Sequence, residues 1–372
     1  MDSKQPTAST NDQSLLKRTI WAASRLSAIA LVLSAYVPVL PVDTWWVRIG
    51  DFPRVQLLIF YLVGIAWLMP FRRRQLAKVL AVFLLGGVLI QFYWIFPFLP
   101  VAPRQVEWSK SSDADARVKI LSANILQDNE DADALLRLIA LQNPDIVVLL
   151  EVNERWINDI ATLEASFEHH VLHPLENKYG LAIYSKLPIE ESKVRAFVKE
   201  TIPSIEAVVR LPNGHPVKFF AVHPNPPRPG EDTTKRDAEL VLVGREVQKD
   251  ESTIVLGDMN DVGWSRTTDL FQEVSGLLDP RKGRGLYPTF NAHSFIWRYP
   301  LDHLFHSDDF RVAELRTLPS IGSDHLPLWV ELSHEPDAKQ MQEGPSLDAG
   351  DQEDAQETVD ALRDPDALKE PE

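Results

Sequence analysis

Eight polar residues stand where apolar runs stop. Asn124 follows Val118–Ala123, Glu151 follows Ile146–Leu150, and His223 follows Val217–Val222. Asp258 and Asn260 follow Thr253–Leu256, Asp302 sits inside Leu301–Phe305, and Asp324 with His325 precedes Leu326–Leu332. Each has a plainer reading when taken alone. Asn124 could cap the next segment, Glu151 could open a helix before Arg155, and His223 could be a turn residue before Pro224. Asp258 could form an Asx turn after Gly257, Asp302 could pair with Arg298, and Asp324-His325 could be a turn. Together they supply carboxylates and an amide as oxygen donors, with imidazoles beside them. That is the donor chemistry of a hard divalent cation, which takes oxygen ligands and keeps waters or substrate phosphate oxygens.

Other chemistries lack their residues. The chain has no cysteine, which excludes disulfides, thiolate-ligated zinc, iron–sulfur clusters and a cysteine nucleophile. It has no Gly-rich phosphate loop ending in Lys-Ser/Thr, no Gly-x-Ser-x-Gly elbow and no His-Glu-x-x-His.

The elements that must position these residues read as an α/β domain over 118–332. Strands are expected at Val118–Ala123, Ile146–Leu150, Leu181–Tyr184, Thr253–Leu256, Leu301–Phe305 and Leu326–Leu332. Ala207–Arg210 and Val217–Val222 read as a hairpin across Leu-Pro-Asn-Gly-His-Pro. Helices are expected at Ala132–Leu141, Arg155–Ser166 and Thr234–Gln248. Helix–strand alternation followed by strand pairs fits two packed sheets with helices outside them. Polar residues on loops at strand ends are what such a scaffold presents for function.

The segments Leu-Ser-Ala-Asn124, Leu-Leu-Glu151-Val, Tyr-Gly-Leu-Ala-Ile-Tyr-Ser185, Ala-Val-His223, Leu-Gly-Asp258-Met-Asn260, Leu-Asp302-His-Leu-Phe and Gly-Ser-Asp324-His325 occur in that order. This ordered set resembles the endonuclease/exonuclease/phosphatase superfamily over about 118–332. The resemblance implies a four-layer α/β/β/α sandwich of two mixed sheets and hydrolysis of phosphate esters with Mg2+ or Mn2+. By similarity, Glu151 would be the principal metal carboxylate, with Asn124 and Asp324 near the metal. Asp258 would orient or deprotonate the attacking water, and Asn260 would hold it. His325, oriented by Asp302, would contact the phosphate and act as base or charge stabiliser, a role the motifs do not separate from that of Asp258, and His223 would donate to a non-bridging oxygen. The sequence departs from the abasic-site repair branch at Glu151-Val-Asn-Glu154, and His223 is closer to the secreted-nuclease and sphingomyelinase branches.

The flanks differ sharply from this domain. Leu26–Leu40, Val55–Met69 and Val79–Leu99 are apolar runs, and the third carries no charge from Ala81 to Leu99. About three transmembrane helices are therefore expected over 26–99, with a linker at 100–117. Lys17, Arg18 and Arg25 precede the first run, and Arg72, Arg73, Arg74 and Lys78 separate the second from the third. The positive-inside rule then places residues 1–25 in the cytoplasm and everything after Pro100 outside it. The expected location is a multi-pass protein of the cell inner membrane with a periplasmic domain.

The chain carries 53 acids against 38 bases, net −15. Residues 333–372 hold thirteen of those acids and three bases, so the rest of the chain is only −5. With no aromatic residue, that segment is expected to be a disordered acidic tail. The charge thus says little about the substrate. The expected function is a membrane-anchored Mg2+-dependent phosphodiesterase, with nuclease-type activity favoured. Its partners would be a nucleic acid or lipid head-group phosphodiester and, through the N-terminal helices, a lipid bilayer. Lys178, Lys186, Arg228, Lys235, Arg236, Arg281, Lys282 and Arg284 are candidates for a basic ring around the site. The alternatives are a phospholipase C or sphingomyelinase-like lipid phosphodiesterase, and a non-catalytic membrane receptor on the same fold.

Overall fold

A computed structural model describes residues 10–40, 42–226 and 230–363. The chain divides into an N-terminal helical unit and a larger α/β unit beginning at about Pro97.

The helical unit contains α1 (Thr10–Tyr36), α3 (Arg54–Leu68) and α4 (Gln75–Ile95), with a one-turn α2 (Trp45–Arg48) between the first two. The apolar stretches are 26, 18 and 24 residues, each long enough to cross a membrane. Their contact faces mix small and large residues: Ala28, Ala35 and Ala77 are buried together with Trp21, Tyr61, Leu68, Leu80 and Leu84. A Cβ on Gly87 would lie 2.8 Å from the Ala35 Cβ, so glycine is what lets α4 approach α1. The outward faces are Leu, Ile, Val and Phe, including Leu62, Val82, Phe83 and Leu89. An apolar exterior, with small residues where the helices approach closely, suits lipid contact.

The larger unit is built on two sheets. The strands are β1 (Arg117–Asn124), β2 (Ile146–Leu150), β3 (His169–His173), β4 (Leu181–Ser185), β5 (Ile189–Arg195), β6 (Ser204–Arg210), β7 (Pro216–Val222), β8 (Thr253–Asp258), β9 (Asp302–His306), β10 (Phe310–Thr317) and β11 (Leu328–His334). One sheet has the order β10-β11-β1-β2-β4-β3 and the other β5-β6-β7-β8-β9. Each has one parallel pair near its centre: β1 with β2, and β7 with β8. The parallel pairs need crossovers. These contain α5 (Ala132–Gln142) and α7 (Thr234–Arg245).

Period-two burial explains the layers. In β2, Ile146, Val148 and Leu150 face the core between the sheets, and Val147 and Leu149 face α5 and α6 (Glu154–Asp159). In β8, Ile254 and Leu256 enter the same inter-sheet core, and Val255 meets α7 and α8 (Arg266–Ser275). Strands buried on both faces read as unbroken apolar runs, which is why their sequence lacks alternation. The result is the expected four layers, α/β/β/α.

Several elements differ from the sequence expectation. The helix expected over 155–166 ends at Asp159, and a 3-10 turn covers Ala161–Ala165. Strands β3, β5 and β10, and helix α8, had no sequence expectation. The edge strand β5 is largely solvent-facing and β3 only partly buried, so neither sequence carries a continuous apolar run. The stretch expected to be a linker is held in place: Trp108 bridges Val312, and Arg284 donates to the Val106 carbonyl at 2.7 Å.

The acidic segment after Ser333 is also ordered through Arg363, contrary to its composition. β11 runs on to His334, and Glu335 accepts from Ser109 Oγ at 2.7 Å and pairs with Arg311. Helix α9 (Ala349–Asp360) starts with a capping box at Asp348 and Asp351. Ala355 packs on Val241 and Leu270, and Asp354 pairs with Arg266 at 2.7 Å. One small apolar contact face and specific ion pairs order a stretch whose average composition predicts none. Residues 364–372 lie outside the described residues.

Candidate active site

The C-terminal ends of both parallel pairs and the entry to β9 share one rim of the sandwich. Asn124 is the last residue of β1, Asp258 the last of β8, and Asp302 the first of β9, paired in register with Asp258. Glu151 follows β2 with φ 64°, a left-handed turn that takes the chain off the strand. Gly257 has φ 142°, and a Cβ there would lie 2.0 Å from the Val222 carbonyl oxygen, so glycine is required for β8 to lie beside β7 at this point.

Asn124 ties the two sheets together. Its Nδ2 donates to Glu151 Oε1 at 3.1 Å within its own sheet and to Asp258 Oδ2 at 3.1 Å in the other. Glu151 Oε2 accepts from the Gln127 N–H at 3.1 Å. Asp258 Oδ1 accepts from the Asn260 N–H at 3.0 Å. Its Oδ2 faces His325 Nε2 at 3.5 Å and His223 Nε2 at 3.7 Å. The far nitrogen of His325, Nδ1, is 2.7 Å from Asp302 Oδ2. His325 therefore lies between two carboxylates, and all three residues are buried.

Electrostatics follow from this packing. Burial alone would lower His325, but Asp302 and then Asp258 outweigh it and raise the imidazole to about 10. His325 is thus an imidazolium at neutral pH. Burial lowers His223, against the pull of Asp258. Burial pushes Asp258 up, against His325. Burial would also push Asp302 up, but His325 holds it below the ordinary carboxylate range.

The structure thus brings Asn124, Glu151, His223, Asp258, Asp302 and His325 into one connected group. Asn260 adjoins it through its backbone, and its Nδ2 donates to the Pro224 carbonyl at 3.0 Å. Asp324 adjoins His325 and contributes to raising it. Among the described residues the compact carboxylate–histidine group here is Asp258, Asp302 and His325, with ligating atoms within 4.8 Å of one another. Glu151 joins it through the Asn124 amide. The donor set fits a divalent cation: two buried carboxylates, Asp258 and Asp302, flank one imidazolium, the half-buried Glu151 and Asp324 adjoin them, and added positive charge would offset their repulsion.

Some supporting residues carried no sequence signal as such. Thr289 Oγ1 accepts from the Asp302 N–H at 3.2 Å. Ser323 Oγ donates to the Asn124 carbonyl at 2.7 Å and accepts from the His325 N–H at 3.0 Å, joining the first and last segments of the site. Phe290 packs its ring 4.9 Å from that of His325. Arg236 donates to the Asn260 carbonyl at 3.0 Å and pairs with Asp237 and Asp261. It was expected on a substrate-facing ring but is instead a buried brace.

The other expected ring residues are similarly committed. Arg281 is buried against Asp279, Lys282 reaches Gln272 and Asp269, and Lys235 is buried. Arg284 serves backbone carbonyls, and Lys186 bonds Asn143 at the opposite end of β2. Lys178 is half-exposed and near the rim, with its N–H on Gln127 Oε1 at 2.8 Å. Arg228 lies outside the described residues. A continuous basic ring is absent among the described residues.

A four-layer α/β sandwich with acids, amides and imidazoles gathered at one strand-end rim is a phosphoesterase fold. The profile of the Endonuclease/Exonuclease/phosphatase family matches residues 121–325. The chain belongs to that family, whose members generally use divalent metals. Among solved structures, a D. rerio TDP2 complexed with single strand DNA product aligns with TM-score 0.50 at 17% identity, covering 59% of this chain and all of that one. The human Nocturnin catalytic domain with bound sulfate anion aligns at 0.49 and 18% identity, covering 59% of this chain and 94% of that one. Beta toxin from Staphylococcus aureus aligns at 0.44 and 17% identity, covering 57% and 99%. At 17% identity the likeness to the D. rerio TDP2 structure is one of fold. No curated protein matches the sequence.

Proposed function

We propose that this chain is a membrane-anchored, divalent-metal-dependent phosphodiesterase whose catalytic domain lies outside the cytoplasm. The observation that carries the reading is the Asp302–His325–Asp258 array linked through Asn124 to Glu151. Glu151, Asn124 and Asp324 would hold Mg2+ or Mn2+. A bound divalent ion supplies Lewis-acid polarisation of a phosphoryl oxygen and stabilises developing charge. Asp258 accepts a proton from the attacking water, which Asn260 orients. His325 stays protonated between its two carboxylates and stabilises the equatorial phosphate oxygens as charge builds. His223, also facing Asp258, donates to a non-bridging oxygen. Asp302 acts only through His325, fixing its ring and holding its proton.

The substrate reading turns on the rim. Phe295 is 95% exposed and Ile296 63%, with Trp297 at 45%. Consecutive exposed apolar side chains of this size mark an interaction surface. Their loop is tied to the site, because the Ala292 N–H donates to the Asp324 carbonyl at 2.7 Å. Aromatic and aliphatic side chains at a polar boundary favour a bilayer interface. With the basic residues largely bound internally, this favours a lipid head-group phosphodiester over nucleic acid.

The test uses the full chain in detergent micelles. Hydrolysis of bis(p-nitrophenyl) phosphate with Mg2+ or Mn2+ should be abolished by EDTA and fall at least 10²-fold in D258A and H325A. Phospholipid head-group release and plasmid nicking are then compared with D258A as control. Activity retained in EDTA, or in either variant, refutes the mechanism. Plasmid nicking without lipid hydrolysis restores the nuclease reading.

A further inference from the structure

The rim opposite the candidate active site holds a second cluster. His215 enters β7 in the five-stranded sheet, and His334 ends β11 in the six-stranded sheet. Asp309 lies in the turn that carries the chain from β9 in one sheet to β10 in the other. One ligating atom from each of the three lies within 4.8 Å of the others. We propose that His215, Asp309 and His334 form a second metal site, selective for a zinc-class transition ion, that clasps the two sheets together.

The donor chemistry separates this cluster from the first. Two imidazoles and one carboxylate suit Zn2+ and its neighbours, whereas Mg2+ prefers oxygen alone. His334 Nε2 is 3.6 Å from Asp309 Oδ2. Ligand atoms around a tetrahedral zinc with bonds of about 2.1 Å stand roughly 3.4 Å apart, so this edge is already close to its bound length. The two imidazole rings stack with centroids 3.7 Å apart and planes at 15°. A shared ion lies in the plane of each ligating ring, so binding requires the two stacked imidazoles to splay until both nitrogens point at it.

Supporting hydrogen bonds are in place. Ser307 Oγ donates to Asp309 Oδ1 at 2.6 Å, and Ser252 Oγ donates to Oδ2. Such outer contacts orient ligating carboxylates. Ser252 Oγ also lies 2.6 Å from His215 Nε2. This is not a nucleophilic triad, because the carboxylate bonds the hydroxyl and not the far nitrogen of that imidazole. An open cleft of about 730 Å3 adjoins the cluster, lined in part by Lys110, Asn213 and Arg311, and provides an entry path. Lys339 Nζ, on a side chain 40% exposed, sits 3.8 Å from Asp309 Oδ2 and is the cation that zinc would displace.

The full chain in detergent, stripped with EDTA and held in excess Mg2+, is titrated with Zn2+ by calorimetry and followed by thermal unfolding. One zinc per chain should bind and raise Tm. H215A, at the half-exposed ligand, should weaken zinc at least tenfold and remove the Tm rise while Mg2+-dependent hydrolysis persists. H334Q should do the same, and K339A should tighten zinc. No zinc binding in excess Mg2+, or binding unchanged in both H215A and H334Q, overturns the proposal. Zinc binding lost in E151Q but kept in H215A also overturns it, by assigning the ion to the other rim.

Discussion

Asp302→Asn isolates the positioning of His325. The wild-type contact is 2.7 Å, with Asp302 1% and His325 5% exposed. Solvent therefore cannot replace it. A hydrogen bond to a charged partner contributes about 1.5–3 kcal/mol. If that term is expressed fully in the transition state, kcat falls about 10- to 150-fold, at 1.36 kcal/mol per decade. An amide also removes the carboxylate charge that does most to hold His325 in its protonated form, so the upper end is expected. KM should change little, because the ring stays packed against Phe290. The assay is steady-state hydrolysis of bis(p-nitrophenyl) phosphate, with nitrogen NMR of the imidazole as a second readout. A double-mutant cycle sharpens it: in an H325Q background, D302N should cost almost nothing, since Asp302 acts through His325. A kcat within threefold of wild type, or additive losses in the cycle, would refute the positioning role.

Three further outcomes follow from other parts of the molecule. F295A combined with W297A should reduce hydrolysis of vesicle phospholipid at least tenfold and leave the small soluble diester unchanged; equal effects on both substrates would remove the interfacial role. Glu239 in α7 is fully buried and pushed up to about 8 by burial. Between pH 4.5 and 8 the unfolded chain ionises this group and the folded chain does not, so stability falls with rising pH by about 1.4 kcal/mol per unit. E239Q should therefore match wild type near pH 4.5 and exceed it in Tm at pH 8, and parallel Tm–pH curves would contradict the assignment. Because the chain has no cysteine, single cysteines at exposed Asp113 and Arg73 report topology cleanly. A membrane-impermeant maleimide applied to intact cells should label D113C and not R73C, and the reverse pattern would invert the orientation.

What could be read in advance depended on how locally each signal was encoded. Strands β2 and β8 were legible because both faces are buried, which writes a continuous apolar run. β3 and β5 were not, because edge strands draw their order from neighbours and not from their own side chains. The site residues were visible as types at strand ends, yet their partnerships were not. Asp302 reads equally well as a partner of Arg298. In the structure Arg298 donates to the Asn291 and Ala292 carbonyls, and Asp302 takes His325. The basic residues misled for a related reason: charge is local in sequence, but whether an arginine faces solvent or braces a loop is decided by packing. Arg236 has the composition of a substrate contact and the position of a strut under Asn260.

The same distinction explains the charge balance. Composition assigns the C-terminal acids to a solvated tail, but several are spent on specific contacts. Asp348 and Asp351 cap α9, Asp354 pairs with Arg266, and Asp337 joins Glu335 on Arg311. A capping contact satisfies helix N–H groups and contributes about 1 kcal/mol. Exposed ion pairs contribute less. None of these alone orders a segment, and burial of Ala355 against Val241 and Leu270 supplies the remaining anchor. Truncation before Asp348 should thus expose an apolar patch on α7 and α8 and lower Tm, which a freely solvated tail would not do. The active-site acids obey the opposite economy. They gain little from solvent or from caps, and they persist in the interior because each meets an imidazole or an amide. Their number at one rim is evidence about chemistry, whereas the number along α9 is evidence about packing.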